Sequence, residues 1–178
     1  LTSEFARHIC PILGLASAPT ARDHAWFSPD IELQHEERLD AYFRQPYDAP
    51  AFDISLQVLH TPGHVANHVC LVLPQDGLLF SGDHILNGST TIIDPPDGDM
   101  SAYMASLQKL YDRDDKRLYP AHGPAVDKPR QLVRGMLGHR RSREAQILRL
   151  LGEAPQEIPA MVAVMYKGLD PRLTGAAG

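Results

Sequence analysis

Thr61-Pro62-Gly63-His64 decides how this chain is read, together with its two counterparts Ser81-Gly82-Asp83-His84 and Tyr119-Pro120-Ala121-His122-Gly123-Pro124. Each sets one potential metal ligand, His64, Asp83 or His122, against small or turn-forming residues at the end of a short apolar run. A side chain carried just past a strand terminus is held stiffly at a sheet edge, where binding and catalytic groups are commonly placed.

The neighbouring sequence supplies the strands. Ile54, Leu56 and Val58 alternate, Val69 to Leu73 is a continuous apolar run, and Leu78 to Phe80 follows a Gln75-Asp76-Gly77 turn, a good hairpin signal. Asp99 is placed to cap a helix that carries Tyr103, Met104, Leu107, Leu110 and Tyr111 on one face. A short strand at Arg117 to Tyr119 leads into the His122 turn. Asp127 and Pro129 open a long helix toward Leu151, with Gly152 placed to end it, and a last helix spans roughly Pro159 to Lys167 before Gly168. Upstream, Phe5 and Ile9 have helical spacing and Pro11 to Leu15 reads as a short buried strand. Ala16 to Pro50 is irregular, with Trp26, Phe27, Tyr42, Phe43 and Tyr47 either walling a pocket or pinning the loop. Strands alternating with helices, and ligands at strand ends, indicate an α/β layered fold.

Composition narrows the function. The chain has 178 residues, 43% of them apolar, enough for one domain with a packed core, with or without an appendage. Its formal charge of −5, from 17 basic and 22 acidic residues, argues against a general polyanion binder. Cys10 and Cys70 give no disulfide framework, which points to a reducing, cytoplasmic compartment. No apolar run is long enough for a membrane span. Nine histidines favour metal chemistry. The opening on Leu1 rather than Met suggests a piece of something longer.

His68 lies four residues after His64, so on a helix the two rings would share a face. Pro62 and Gly63 in front and the apolar run behind favour a turn feeding a strand, with His64 as ligand and His68 as a hydrogen-bonding support. Asp83 has two oxygens free to bridge two cations; taken alone it would read as an Asx-turn or helix cap. His122, taken alone, would be a turn histidine facing water.

Leu59 to His64 with His68, Phe80 to Leu86, Tyr119 to Pro124 and the His139-Arg140…Arg143-Glu144…Gln146-Ile147-Leu148 run together resemble the metallo-β-lactamase superfamily, in its β-lactamase-like protein 2 group. That group holds hydrolases related to glyoxalase II and includes endoribonucleases. The resemblance covers about residues 50 to 173 and implies part of an αββα sandwich over 1–143. Residues 144–178 would then begin a small winged-helix-like helical tail. It implies that His64 completes the three-histidine site of one metal, that Asp83 bridges two metals and is the catalytic carboxylate, and that His122 belongs to the second. His68 and His84 become supporting or pocket residues. The family's His-x-His-x-Asp-His run is absent from these residues and is expected upstream of Leu1.

The chemistry implied is hydrolysis of a small ester or thioester by a hydroxide on two Zn2+ ions about 3.5–4 Å apart, with iron or manganese as other occupants. With three ligands the chain alone is expected to be inactive. The basic helix around Arg130, Arg134, His139, Arg140, Arg141 and Arg143 leaves room for RNA as substrate. It also leaves two other readings open: a non-enzymatic nucleic-acid-binding module, or a homologue that keeps the fold without metals. Oligomeric state is not legible.

Overall fold

Residues 33–39 and 55–167 are described by the computed structural model. The expected strand at Pro11 to Leu15, the five aromatics of the long loop, Cys10 and Gly168 lie outside the described residues. Four strands form one sheet in the order β1 (Gln57–His60), β2 (Val69–Leu73), β3 (Leu78–Gly82), β4 (Arg117–Pro120). The helices are α1 (Met100–Tyr111), α2 (Pro129–Glu153) and α3 (Ile158–Met165).

Strand parity explains the two faces of the sheet. Leu59, Cys70, Val72, Leu79 and Leu118 point to one side, where Tyr103, Leu107 and Leu110 of α1 and Val133 and Leu137 of α2 close the main core. Val58 and Leu71 point to the other side and pack with Leu39, Leu56 and Phe80. Both faces of β2 are therefore apolar, as its unbroken Val-Cys-Leu-Val-Leu run requires of a strand covered on two sides.

The turns follow their sequence signals. Gly77 takes φ +69° and closes the hairpin by donating to the Leu73 carbonyl at 3.0 Å. Asp99 caps α1, its carboxylate accepting from the Ala102 amide at 2.7 Å. Of the expected apolar stripe on α1, Tyr103, Leu107 and Leu110 are buried, while Met104 and Tyr111 pack at the core margin. Two helix limits differ from expectation. Gly152 lies inside α2, which ends at Glu153 where Ala154 turns extended, and α3 stops at Met165. A single glycine costs a helix only about 1 kcal/mol, too little to terminate it. α2 itself runs unbroken across position 143.

β1 and β3 both run antiparallel to β2, and β4 runs parallel to β3. The C-terminal ends of β1, β3 and β4 therefore emerge along one edge of the sheet. His64, Asp83 and His122 each follow one of those ends.

Cys70 is fully buried, and burial pushes its thiol up from 9.0 to about 12, although a hydrogen bond with Thr61 works the other way. Because the thiolate is the reactive form, Cys70 should be inert to alkylation at neutral and mildly alkaline pH. In a Cys10→Ser variant, a chromogenic disulfide reagent should detect no thiol in native protein and one after denaturation; rapid reaction of the native protein would contradict the burial.

Candidate metal centre

The loop between β1 and β2 presents His64. Its base is closed by the Thr61 amide donating to the His68 carbonyl at 2.9 Å and by the Thr61 hydroxyl against His68 Nδ1, also 2.9 Å. Its apex is pressed against α1. The Asp99 amide donates to the Gly63 carbonyl at 2.8 Å, and the Ser106 hydroxyl donates to the Pro62 carbonyl at 2.8 Å. Gly63 has φ +141°, and a Cβ there would overlap the Tyr103 Cα and stand 2.6 Å from the Tyr103 nitrogen. Only glycine permits both the conformation and the approach.

His64 Nδ1 lies 2.7 Å from the Ile92 carbonyl oxygen. A carbonyl can only accept, so Nδ1 carries the proton and a neutral ring leaves its lone pair on Nε2. That is how metal-binding imidazoles are usually held.

Asp83 leaves β3 through an irregularity. Phe80 pairs with Tyr119 but Gly82 pairs with Pro120, so Ser81 is the extra residue of a bulge. Bulges re-aim the side chains that follow them. The Ala121 amide donates to the Gly82 carbonyl at 2.9 Å and ties the two strand ends together. Asp83 Oδ1 and His122 Nε2 come within 3.4 Å, with 44% and 74% of the side chains exposed. Asn87 holds the His122 turn: its amide donates to the His122 carbonyl at 3.3 Å and its side-chain nitrogen to the Pro124 carbonyl at 3.0 Å. At Gly123, with φ +94°, a Cβ would run into the Asn87 carbonyl.

His68 and His84 stand behind these residues. Their rings are 5.5 Å apart, His68 lies 6.4 Å from His64, and His84 lies 4.7 Å from the Tyr103 ring. Burial, with the neighbouring His64 adding to it, lowers the His68 pKa from 6.5 to about 4. Burial, then His68 and His64, lowers that of His84 to about 3. Both stay neutral near pH 7. His84 is wholly buried rather than on a pocket wall, and neither of its ring nitrogens has a partner among the described residues.

Sequence reading missed Thr91, Asn87 and the Tyr103 phenol. The Thr91 hydroxyl donates to the Asp83 and His84 carbonyls at 2.9 and 3.1 Å, and the Tyr103 phenol donates to the His84 carbonyl at 3.1 Å. Nothing local marks Thr91 within its Gly-Ser-Thr-Thr tract, and Tyr103 registers only as an apolar helix position.

The donors suit a metal in kind, two imidazoles and a carboxylate, with the lone pair of the neutral His64 ring placed on Nε2. In number they fall short. Among the described residues no three His, Cys, Asp or Glu side chains form a group able to hold an ion.

The profile of the metallo-beta-lactamase superfamily matches residues 8–122. The chain belongs to this superfamily. A beta-lactamase-like protein 2 homolog of Caenorhabditis elegans is 38% identical over 120 residues, covering 67% of this chain and 39% of the relative. An atrochrysone carboxyl ACP thioesterase of Claviceps purpurea is 30% identical over 157 residues, covering 80% of this chain and 48% of the relative. Among solved structures, a metallo-beta-lactamase family protein from Thermus thermophilus superposes with a TM-score of 0.64 at 20% identity, over 98% of this chain and 56% of that one. The fold is that of the superfamily, and the chain spans about two-fifths to one-half of the length of these curated relatives.

Gly63→Ala should destabilise the protein by about 3 kcal/mol or more, since backbone rather than a flexible side chain blocks the added methyl. Gly138→Ala, in α2 with open space around it, should instead stabilise by up to about 1 kcal/mol. Urea unfolding midpoints compare the two.

Proposed function

We propose that His64, Asp83 and His122 are ligands of a dinuclear metal centre in a hydrolase that cleaves an ester or thioester. The 3.4 Å approach of Asp83 to His122, on the sheet edge that also receives His64, carries this reading. A carboxylate and an imidazole placed so closely, both open to solvent and without another partner for the Asp83 side chain among the described hydrogen bonds, support a shared cation.

In this reading Asp83 would be the carboxylate shared by the centre and the catalytic one, with His64 and His122 as the imidazoles that would help to hold it. The remaining ligands come from outside the described residues. Zinc suits the set, as do iron and manganese. When bound, such ions activate water and polarise the oxygen that gains charge. The chain's own residues orient the donors: the Ile92 carbonyl fixes the His64 tautomer, Asn87 fixes the His122 turn, and the Ser81 bulge aims Asp83. Residues 1–178 alone, which contain no His-x-His-x-Asp-His run, are expected to be inactive.

A small thioester is favoured over RNA. The thioesterase-named relative supports it. So does the fate of the basic helix: the Arg130, Arg140 and Arg143 guanidinium groups lie over the rings of Tyr111, Tyr103 and Tyr166, and Arg143 also bonds Gln146. Arg140 and Arg143 are thus half-buried and engaged within the fold rather than offered to a phosphate backbone, whereas Arg130 stays exposed. No described helix is long and apolar enough to cross a membrane. The free Cys70 thiol agrees with a reducing, cytoplasmic setting.

Elemental analysis of the full-length protein, paired with an acyl-thioester hydrolysis assay, tests the reading. Two metal equivalents and activity abolished by a chelator are expected. Asp83→Asn or His122→Gln should lower kcat/KM by more than about 100-fold, beyond what the loss of an outer partner of a ligand costs. A metal-free protein that hydrolyses thioesters equally well with chelator present would overturn it.

A further inference from the structure

Residues Thr91 and Ile92, on no strand or helix, reach more of the candidate centre than any single ligand does. Thr91 is 2% exposed, and its hydroxyl donates to the carbonyl of Asp83 at 2.9 Å and to that of His84 at 3.1 Å. The next carbonyl along the chain, that of Ile92, accepts from His64 Nδ1 at 2.7 Å. Two adjacent residues thus grip the backbone beneath Asp83 and the ring of His64, which arrive from the ends of β3 and β1.

The segment is itself held from outside the sheet. Arg140, on α2, donates from Nη2 to the Thr91 carbonyl at 2.6 Å. Its guanidinium also lies 5.4 Å from the centre of the Tyr103 ring, whose phenol donates to the same His84 carbonyl that Thr91 engages. Arg140 has no carboxylate partner among the described ion pairs; its charge is directed at a backbone oxygen and an aromatic face. A charge-assisted hydrogen bond in a half-buried setting is among the stronger ones a protein makes.

We infer that Thr91 and Arg140 are positioning residues, which hold Thr91–Ile92 as a strap that sets the Asp83 backbone and the His64 ring together. A metal centre needs its donors fixed to within about 0.5 Å, and separate loops do not achieve that independently. Because Thr91 and Ile92 are consecutive, a shift of one carries the other, and both ligands move as one body. Arg140 makes α2 the outer support of that body. The inference rests on the proposed metal centre and adds residues to it that donate nothing to the ions.

The test uses full-length protein loaded with cobalt(II), whose visible absorption reports ligand geometry without reference to activity. Thr91→Val removes the hydroxyl at nearly constant shape, and Thr91→Ser restores it. Thr91→Val should weaken cobalt affinity by about 10–100-fold and displace the visible bands, and Thr91→Ser should return both toward the parent. Arg140→Met, which keeps the stem and removes the donors, should cost about tenfold, with the double variant less than additive because both act through one strap. If Thr91→Val does not fold, Arg140→Met carries the test alone. Wild-type affinity and spectrum in folded variants would overturn the strap and leave the metal centre standing. A parent protein that binds no cobalt would overturn both.

Discussion

The backbone of Gly63 lies against the backbone of Tyr103 at a separation no side chain could share, and the site is arranged around that contact. It brings the β1–β2 loop down on the first turns of α1, where the Asp99 amide and the Ser106 hydroxyl take up the two carbonyls of Pro62 and Gly63. Tyr103, fixed there, reaches the His84 carbonyl and supports the Arg140 guanidinium. One glycine therefore lets the loop that carries His64, a capped helix and the turn after β3 be packed as a unit.

The same contact explains why α1 is more than a cover for the sheet. Its buried positions serve two purposes: Leu107 and Leu110 fill the core, whereas Tyr103 and Ser106 turn polar atoms toward the loops that carry His64 and Asp83. Burial raises the Tyr103 phenol above its ordinary pKa, against hydrogen bonding with Thr91 and Arg140, so that it remains a donor throughout the neutral range.

Local signals were enough for most of the strands and for the helix starts. The continuous apolar runs of β2 and β3, the Asp76-Gly77 turn, the Asp99 cap and Pro129 at a helix start are short-range features that place their elements, whereas the Ile54-Leu56-Val58 alternation sets β1 too early, since the strand runs from Gln57 to His60. Helix ends were less legible, because Gly152 is weak punctuation inside a long helix. His64, Asp83 and His122 could be proposed because each sits beside turn residues at a strand end. Asn87, Thr91 and Arg140 could not, since what they do depends on residues far away in the chain. The Arg140 side chain, one of several cations when read along α2, acquires its role only through Thr91, which no periodicity brings beside it. Burial of His84, whose two ring nitrogens find no partner among the described residues, is likewise a tertiary outcome.

β1, β2 and β3 pair antiparallel through the loop at 61–68 and the tight turn at 74–77, whereas β4 joins β3 in parallel only after α1 has crossed between them. Antiparallel neighbours close quickly through small loops, while a parallel partner must await a long crossover. The first three strands can thus assemble with His64 and Asp83 already at their edge, and His122 arrives only when β4 docks. The Asp83–His122 pair is in this sense a clasp between the antiparallel part of the sheet and the strand that the α1 crossover brings back to it. Its closure therefore depends on the short connections among β1, β2 and β3 and on the long crossover through α1 alike.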